Sequence, residues 1–198
     1  KMGDALREQT FTDIYDDSMW LINLVENLLA VTRIEGGQVN LTRSIELMDE
    51  VVSEALKHIN RKSKEHTIRV TSGKDFILAH IDAKLIVQVI INLVDNAIKY
   101  TPEHSRIELF AAPEGKFVRI CVTDDGPGIP EESRDKLFDM FYTLGKTRSD
   151  GRRGLGLGLA LCRSIVAAHG GVINVQNAAP HGACFRFTLP RTEVTLYE

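Results

Sequence analysis

Long apolar runs are missing from this chain. No stretch approaches the roughly 20 residues needed to cross a bilayer, so none of its 198 residues reads as a membrane span. Cysteine is scarce. Cys121, Cys162 and Cys184 each sit inside an apolar run, with no C-x-x-C spacing. That excludes a disulfide framework and a thiolate zinc site, and it fits buried, reduced thiols of a cytosolic protein. A charge excess of one sign is also absent. Lys and Arg number 24 against 27 Asp and Glu, a net charge of -3, so the basic footprint of a duplex-binding protein is lacking. The six histidines (His58, His66, His80, His104, His169, His181) show no metal-ligand spacing such as H-E-x-x-H, and no G-x-S-x-G nucleophile turn occurs. The start, Lys1-Met-Gly-Asp-Ala, is no signal peptide. Without an initiator Met it reads as a piece of a longer parent, which leaves a membrane anchor in that parent open.

What is present is the composition of an ordinary globular protein, 43% hydrophobic and 26% charged. The length suits one good-sized domain with an appendage. Residues 8–35 read as one long amphipathic helix, with Ile14, Leu21 and Leu28 beside Ile22, Val25 and Leu29. The Gly36-Gly37 pair ends it. That apolar surface needs cover, either its own domain or other helices of a bundle. An extended piece follows over 38–42, then a helix over 48–60 and strands over 68–71 and 76–80. Asp82 reads as the N-cap of a helix reaching Tyr100. Residues 106–111 and 116–123 alternate as a hairpin. A helix over 131–138, a polar loop over 142–153, a helix over 155–169 and strands over 172–176 and 183–189 complete the chain. Segregated strands and helices predict an α+β fold, a mixed sheet packed on helices.

Three clusters carry chemistry. At 100° per residue, Asn92, Asn96, Lys99 and Tyr100 share one helix face, opposite Ile86, Ile90, Leu93 and Ala97. A solvated face is the plain reading, but asparagine is a poor helix former in mid-helix. An amide oxygen suits Mg²⁺, and a lysine suits a phosphate. Next, Asp124-Asp125-Gly126-Pro127-Gly128-Ile129 ends a strand. It is either an ordinary turn or a buried carboxylate that takes an exocyclic amine, with glycines admitting a flat base. Last, Gly154-Leu155-Gly156-Leu157-Gly158 opens a helix behind the cations Lys146, Arg148, Arg152 and Arg153. Bare amides at a helix start form an anion site; a solvated basic loop is the alternative. Gly145-Lys146-Thr147 is no P-loop, because Met140 stands at the required earlier glycine. G-x-G-x-G is not the dinucleotide fingerprint, and no βαβ unit surrounds it.

In this order, with Leu137-Phe138-Asp139-Met140-Phe141 between the last two clusters, the chain resembles the ATP-binding domain of sensor histidine kinases. That is the Bergerat-type α/β sandwich also found in gyrase, Hsp90 and MutL. Arg33-Ile-Glu-Gly-Gly and Gly182-Ala-Cys-Phe-Arg-Phe-Thr-Leu-Pro fit it too, and a potassium- and turgor-sensing subgroup is the nearest match. The resemblance implies a partial dimerisation helix over 1–37, second of a four-helix bundle and lacking the phosphoacceptor helix, then a catalytic domain over 38–198. It implies ATP and Mg²⁺ as ligands, with Asn96 on the metal and Asn92 and Lys99 catalytic at the phosphates. Tyr100 would flank the nucleotide. Asp124 would take adenine N6, with Gly126, Gly128 and Ile129 shaping the base pocket. Phe138 and Phe141 would anchor a lid carrying Lys146 and Arg148, and Gly154, Leu155, Gly156, Leu157 and Gly158 would hold the phosphate end. The implied partners are ATP or ADP, a response-regulator receiver domain and a second copy in the intact parent. Nucleic acid is not among them. The chain would be a cytoplasmic domain of a protein anchored in the bacterial inner membrane. Hydrolysing relatives carry a Glu where Asn92 stands, and an amide is no general base. None of the histidines lies in the family's His-Asp/Glu-x-x-x-Pro setting. A hydrolysing clamp ATPase and a non-catalytic dimerising module stay open as rivals.

Overall fold

A computed structural model of the chain describes residues 2–36, 41–59, 65–72, 76–144 and 156–192. Four α-helices occur among them, α1 (Met2–Glu35), α2 (Met48–Ile59), α3 (Ala83–Tyr100) and α4 (Gly158–Ala168). The strands are β1 (Ser44–Leu47), β2 (Thr67–Ser72), β3 (Leu78–Ile81), β4 (Arg106–Glu114), β5 (Phe117–Asp124), β6 (Ile173–Asn177) and β7 (Ala183–Thr192). They form one sheet in the order β1-β3-β7-β5-β4-β2, with β6 also on β7. Only β2 on β4 runs parallel, Thr67 facing Arg106; the remaining ladders are antiparallel. The expected mixed sheet packed on helices is what forms.

One face of the sheet is covered and the other is open, so its strands alternate. On β5, Val118, Ile120, Val122 and Asp124 point inward and Arg119, Cys121 and Thr123 outward. On β7 the inward set is Ala183, Phe185, Phe187 and Leu189. Against it lie Ile86, Val89, Ile90, Leu93, Val94 and Ala97 of α3 with Leu161, Ile165 and Val166 of α4.

Asp82 caps α3 as its position predicts. Its Oδ1 accepts from Leu85 N at 3.4 Å and its Oδ2 from Thr42 N at 3.1 Å. His169, 3% exposed at the end of α4, ties the two helices together. Its Nε2 accepts from Asp82 N at 3.0 Å, and its Nδ1–H donates to Ile165 O at 2.8 Å. That tautomer is neutral.

Several expected boundaries move. Most of the extended piece expected over 38–42 lies outside the described residues, and a strand not expected, Ser44–Leu47, pairs with β3. The expected helix over 131–138 is a 3₁₀ turn, Glu131–Ser133, followed by further turns. α4 starts at Gly158, three residues late. For α1, cover by its own domain is seen near its C-terminal end. Val31 is fully buried, with Ala30 and Ile34 against the core beside α4. Leu6, Phe11, Ile14, Leu21, Ile22 and Val25 stay exposed. The thiols also depart from expectation. Cys162 is buried, but strand alternation turns Cys121 and Cys184 to the open face, where both are half-exposed.

Candidate functional site

The middle of α3 faces the first turn of α4. A Cβ at Gly158 would stand 3.8 Å from Asn92 Cγ and 3.9 Å from its Oδ1. Asn92 Oδ1 accepts from Gln88 Nε2 at 3.4 Å. Its Nδ2 is buried with no hydrogen-bond partner. The neighbouring Cys162 sulfur is a weak acceptor, whose own hydrogen goes to Val89 O at 3.8 Å. An orphaned buried donor costs on the order of 1–3 kcal/mol, so the position fits a group supplied from outside. The start of α4 fits likewise. Leu157 caps it with an apolar side chain that makes no hydrogen bond to its first amides. Leu157 itself is buried and offers only backbone there.

Asn96 and Lys99 continue the Asn92 face, both half-buried. Lys99 Nζ lies 5.2 Å from the centroid of the exposed Tyr100 ring, a cation–π contact that holds the ammonium at the end of α3.

Asp124 ends β5 at 8% exposure. Its Oδ1 accepts from Gly126 N at 2.9 Å and Ala183 N at 3.2 Å. Among the described residues nothing bonds Oδ2, which is left as an acceptor. Burial pushes the carboxyl above its usual range, against the pull of those two amides. The turn beyond it has no room for side chains. A Cβ at Gly126 would meet Thr101 Cγ2 at 2.7 Å. Gly128 sits under Asn177, whose Oδ1 accepts from Ile129 N at 2.8 Å. Gly182 has φ +110°, and a Cβ there would fall 1.8 Å from Asp124 O.

Phe138 is core, edge-to-face on Phe185 at 6.4 Å. Phe141 is 62% exposed, with φ +65°, and its N–H donates to Gly156 O at 3.1 Å. Gly156, at φ +68°, lies so close to Tyr142 that a Cβ would be 2.4 Å from Tyr142 O. Residues 141–142 and 156 are thus stitched together. Lys146, Arg148, Gly154 and Leu155 lie outside the described residues, with Arg152 and Arg153.

The fold therefore brings Asn92 and Gly158 together, and separately gathers Asp124, Gly126, Gly128 and Ile129. Thr101, Asn177 and Ala183 shape the second group and were not among the expected site residues. Thr101 Oγ1 donates to Ala97 O at 2.7 Å and shares a 3.1 Å hydrogen bond with His66 Nε2. Its signal was the residue directly after the polar helix face. Asn177 and Ala183 reach the turn only through sheet pairing.

A sheet open on one face, with two helices and two glycine turns about a buried carboxylate on the other, is a Bergerat-type nucleotide-binding sandwich. Residues 81–193 match the family described as "Histidine kinase-, DNA gyrase B-, and HSP90-like ATPase", and the chain belongs to it. Sensor protein KdpD of Clostridium acetobutylicum is 44% identical over 96% of this chain, which spans 21% of that protein's length. Among solved structures, the catalytic domain of histidine kinase ThkA is 32% identical with a TM-score of 0.67, covering 75% of this chain and 95% of that one. ThkA has also been solved in complex with the response regulator protein TrrA. Full-length ShkA in complex with AMPPNP is 26% identical with a TM-score of 0.75, covering 89% of this chain and 37% of that one. No helix among the described residues is long and apolar enough to cross a membrane.

Proposed function

We propose that the chain is the catalytic part of a two-component sensor histidine kinase. It binds Mg-ATP between α3 and α4 and presents the γ-phosphoryl to a histidine outside this chain, from which an aspartate of a response-regulator receiver domain takes it. The observation that carries this reading is Asn92. A carboxamide, not a carboxylate, faces the start of α4, and it holds a buried donor without a partner. An amide cannot take a proton from water, which favours transfer over hydrolysis. It orients a phosphate, and catalysis of phosphoryl transfer is largely positioning and electrostatics.

Asn96 would hold Mg²⁺, which neutralises phosphate charge when bound, and Lys99 would meet a phosphate. Asp124 Oδ2 would accept from adenine N6, in a slot floored by Gly126, Gly128 and Ile129. Tyr100 flanks the nucleotide, and the amides of 154–158 would hold the phosphate end. Phe138 fixes the segment to the core, while Phe141 opens a lid carrying Lys146 and Arg148. The exposed stripe of α1 supports residues 1–37 as part of a dimerisation bundle and 38–198 as the catalytic domain. The intact protein would be a homodimer whose catalytic part lies in the cytoplasm of a membrane-anchored sensor, and the KdpD likeness makes potassium sensing its nearest assignment.

Calorimetric titration with Mg-ATP tests the site, and incubation with γ-labelled ATP tests the chemistry. One site per chain, negligible phosphate release and no acid-labile phosphoryl group on the chain alone are expected. Steady phosphate release would favour the clamp-ATPase rival, and absence of binding would leave only a dimerising module.

A further inference from the structure

The glycine turn after β5 is gripped at both ends by one cross-strand pair. Asn177 closes β6 and pairs with Ala183 at the start of β7. Ala183 N donates to Asp124 Oδ1 at 3.2 Å, where the glycine turn begins. Asn177 Oδ1 accepts from Ile129 N at 2.8 Å, where it ends. Between the pair, the β6–β7 turn closes on itself through Ala178 N and Gly182 O at 3.0 Å. Gly182 packs its backbone against Asp124 O with no room for a Cβ, and its own carbonyl would stand 3.1 Å from a Cβ on Gly128.

The turn needs such a hold. Gly126 and Gly128 have no Cβ to limit their backbone, and Gly128 sits at φ +76°. A segment so permissive takes its shape from what it touches. On the far side of Asp124 that touch is a single side-chain bond, the one from Asn177.

We propose that Asn177 is a positioning residue that sets base specificity: by fixing the Ile129 end of the glycine turn, it keeps the second Asp124 oxygen aimed at the exocyclic amine of a purine. The inference rests on the nucleotide reading given above for Asp124. Asp124 Oδ1 is shared between Gly126 N at 2.9 Å, inside the turn, and Ala183 N, outside it. Releasing Ile129 lets Gly126 shift against Ala183. One oxygen then cannot keep both donors in line, and hydrogen bonds weaken steeply with angle. The carboxylate plane turns, and Oδ2 with it. Asn177 itself touches neither base nor phosphate in this account, so its loss blunts discrimination between bases and spares the grip on phosphates.

Calorimetric titration of the folded chain with the Mg complexes of ATP and of inosine triphosphate tests this. The second ligand carries a carbonyl in place of the amine, so the ratio of the two Kd values reads the base contact alone. A hydrogen bond of ordinary net strength corresponds to about fivefold in Kd. Asn177→Ala should weaken ATP by about that factor and leave inosine triphosphate nearly unchanged, narrowing the ratio about fivefold. Asn177→Asp keeps an oxygen at the same reach and should restore the ratio. A fold loosened as a whole weakens both ligands in one proportion and leaves the ratio where it was. An unchanged ratio in Asn177→Ala, or a narrowed one in Asn177→Asp, would therefore overturn the assignment. If the alanine variant does not fold, Asn177→Ser takes its place with the same expected ratio, since its hydroxyl stops one bond short of the Ile129 amide. Wild type that binds neither ligand would overturn the nucleotide reading itself. Wild type that binds both without preference would leave the phosphate site standing and overturn the role given to Asn177.

Discussion

Asp124→Asn changes one atom's chemistry and little of its shape. Oδ1 is held by two backbone N–H groups, from Gly126 and Ala183. Only an oxygen can sit there, so the variant's amide nitrogen must take the place of Oδ2 and face the cleft. An acceptor becomes a donor. If Oδ2 receives the adenine amine, the variant loses a charged hydrogen bond of about 1.5–3 kcal/mol and sets two donors face to face, for about 1–3 kcal/mol more. The sum, about 2.5–6 kcal/mol, weakens ATP by roughly two to four decades in Kd. Inosine triphosphate carries a carbonyl where ATP carries the amine, so it should gain what ATP loses, and the preference should invert. Inorganic triphosphate should bind unchanged. The fold should not suffer, because burial disfavours the wild-type charge, so the variant should melt no lower than wild type. Calorimetric titration of both proteins with the three ligands decides it. Equal weakening of ATP and inosine triphosphate, or no effect on either, would refute the assignment of Asp124 to the base.

Gly182→Ala should destabilise by about 2–4 kcal/mol, since it meets both a positive φ and the Asp124 carbonyl; a thermal melt without ligand reads it. Gly158→Ala is the contrasting case. Its Cβ makes an ordinary contact with Asn92, so the melt should hold or rise while Mg-ATP affinity falls if phosphates approach that turn; unchanged affinity would move them elsewhere. His169 supplies a pH dependence. Burial lowers its pKa from 6.5, and only the neutral ring accepts Asp82 N–H. The stability this contributes is complete above 6.5 and is lost as pH falls through the depressed folded value. Denaturant midpoints should therefore fall more between pH 7.5 and 5.5 in wild type than in His169→Gln, and identical slopes would assign the acid sensitivity to other groups.

The two helices of the site were legible because each signal is local. The apolar stripe of α3, the cap at Asp82 and the glycines before α4 lie within a few residues of what they determine. Thiol exposure was legible too, since alternation from Val118 to Val122 already turns Cys121 outward, but apolar neighbours masked the period. The strand Ser44–Leu47 was not, because four residues earn their place only by pairing with β3 more than 30 residues on. Nor was the anchoring of Asp124, which rests on an amide 59 residues away. The helix expected over 131–138 failed for a local reason: after Pro130 the segment shows no apolar period strong enough to sustain more than a 3₁₀ turn.

Among the described residues, α1 meets the hydrophobic core near its end, through Ala30, Val31 and Ile34, and the chain beyond it is tied to Asp82 through Thr42 and to Ala168 through Arg43 at 2.7 Å. Mechanically this is a long arm on a short fulcrum. From Met2 to Val31 the helix extends about 43 Å at 1.5 Å per residue, so a swing of about 10° at the fulcrum carries the far end by about 7 Å. Read in the other direction, several ångströms of travel at the Met2 end reach the junction of α3 and α4 geared down to a sub-ångström displacement, with force multiplied in proportion.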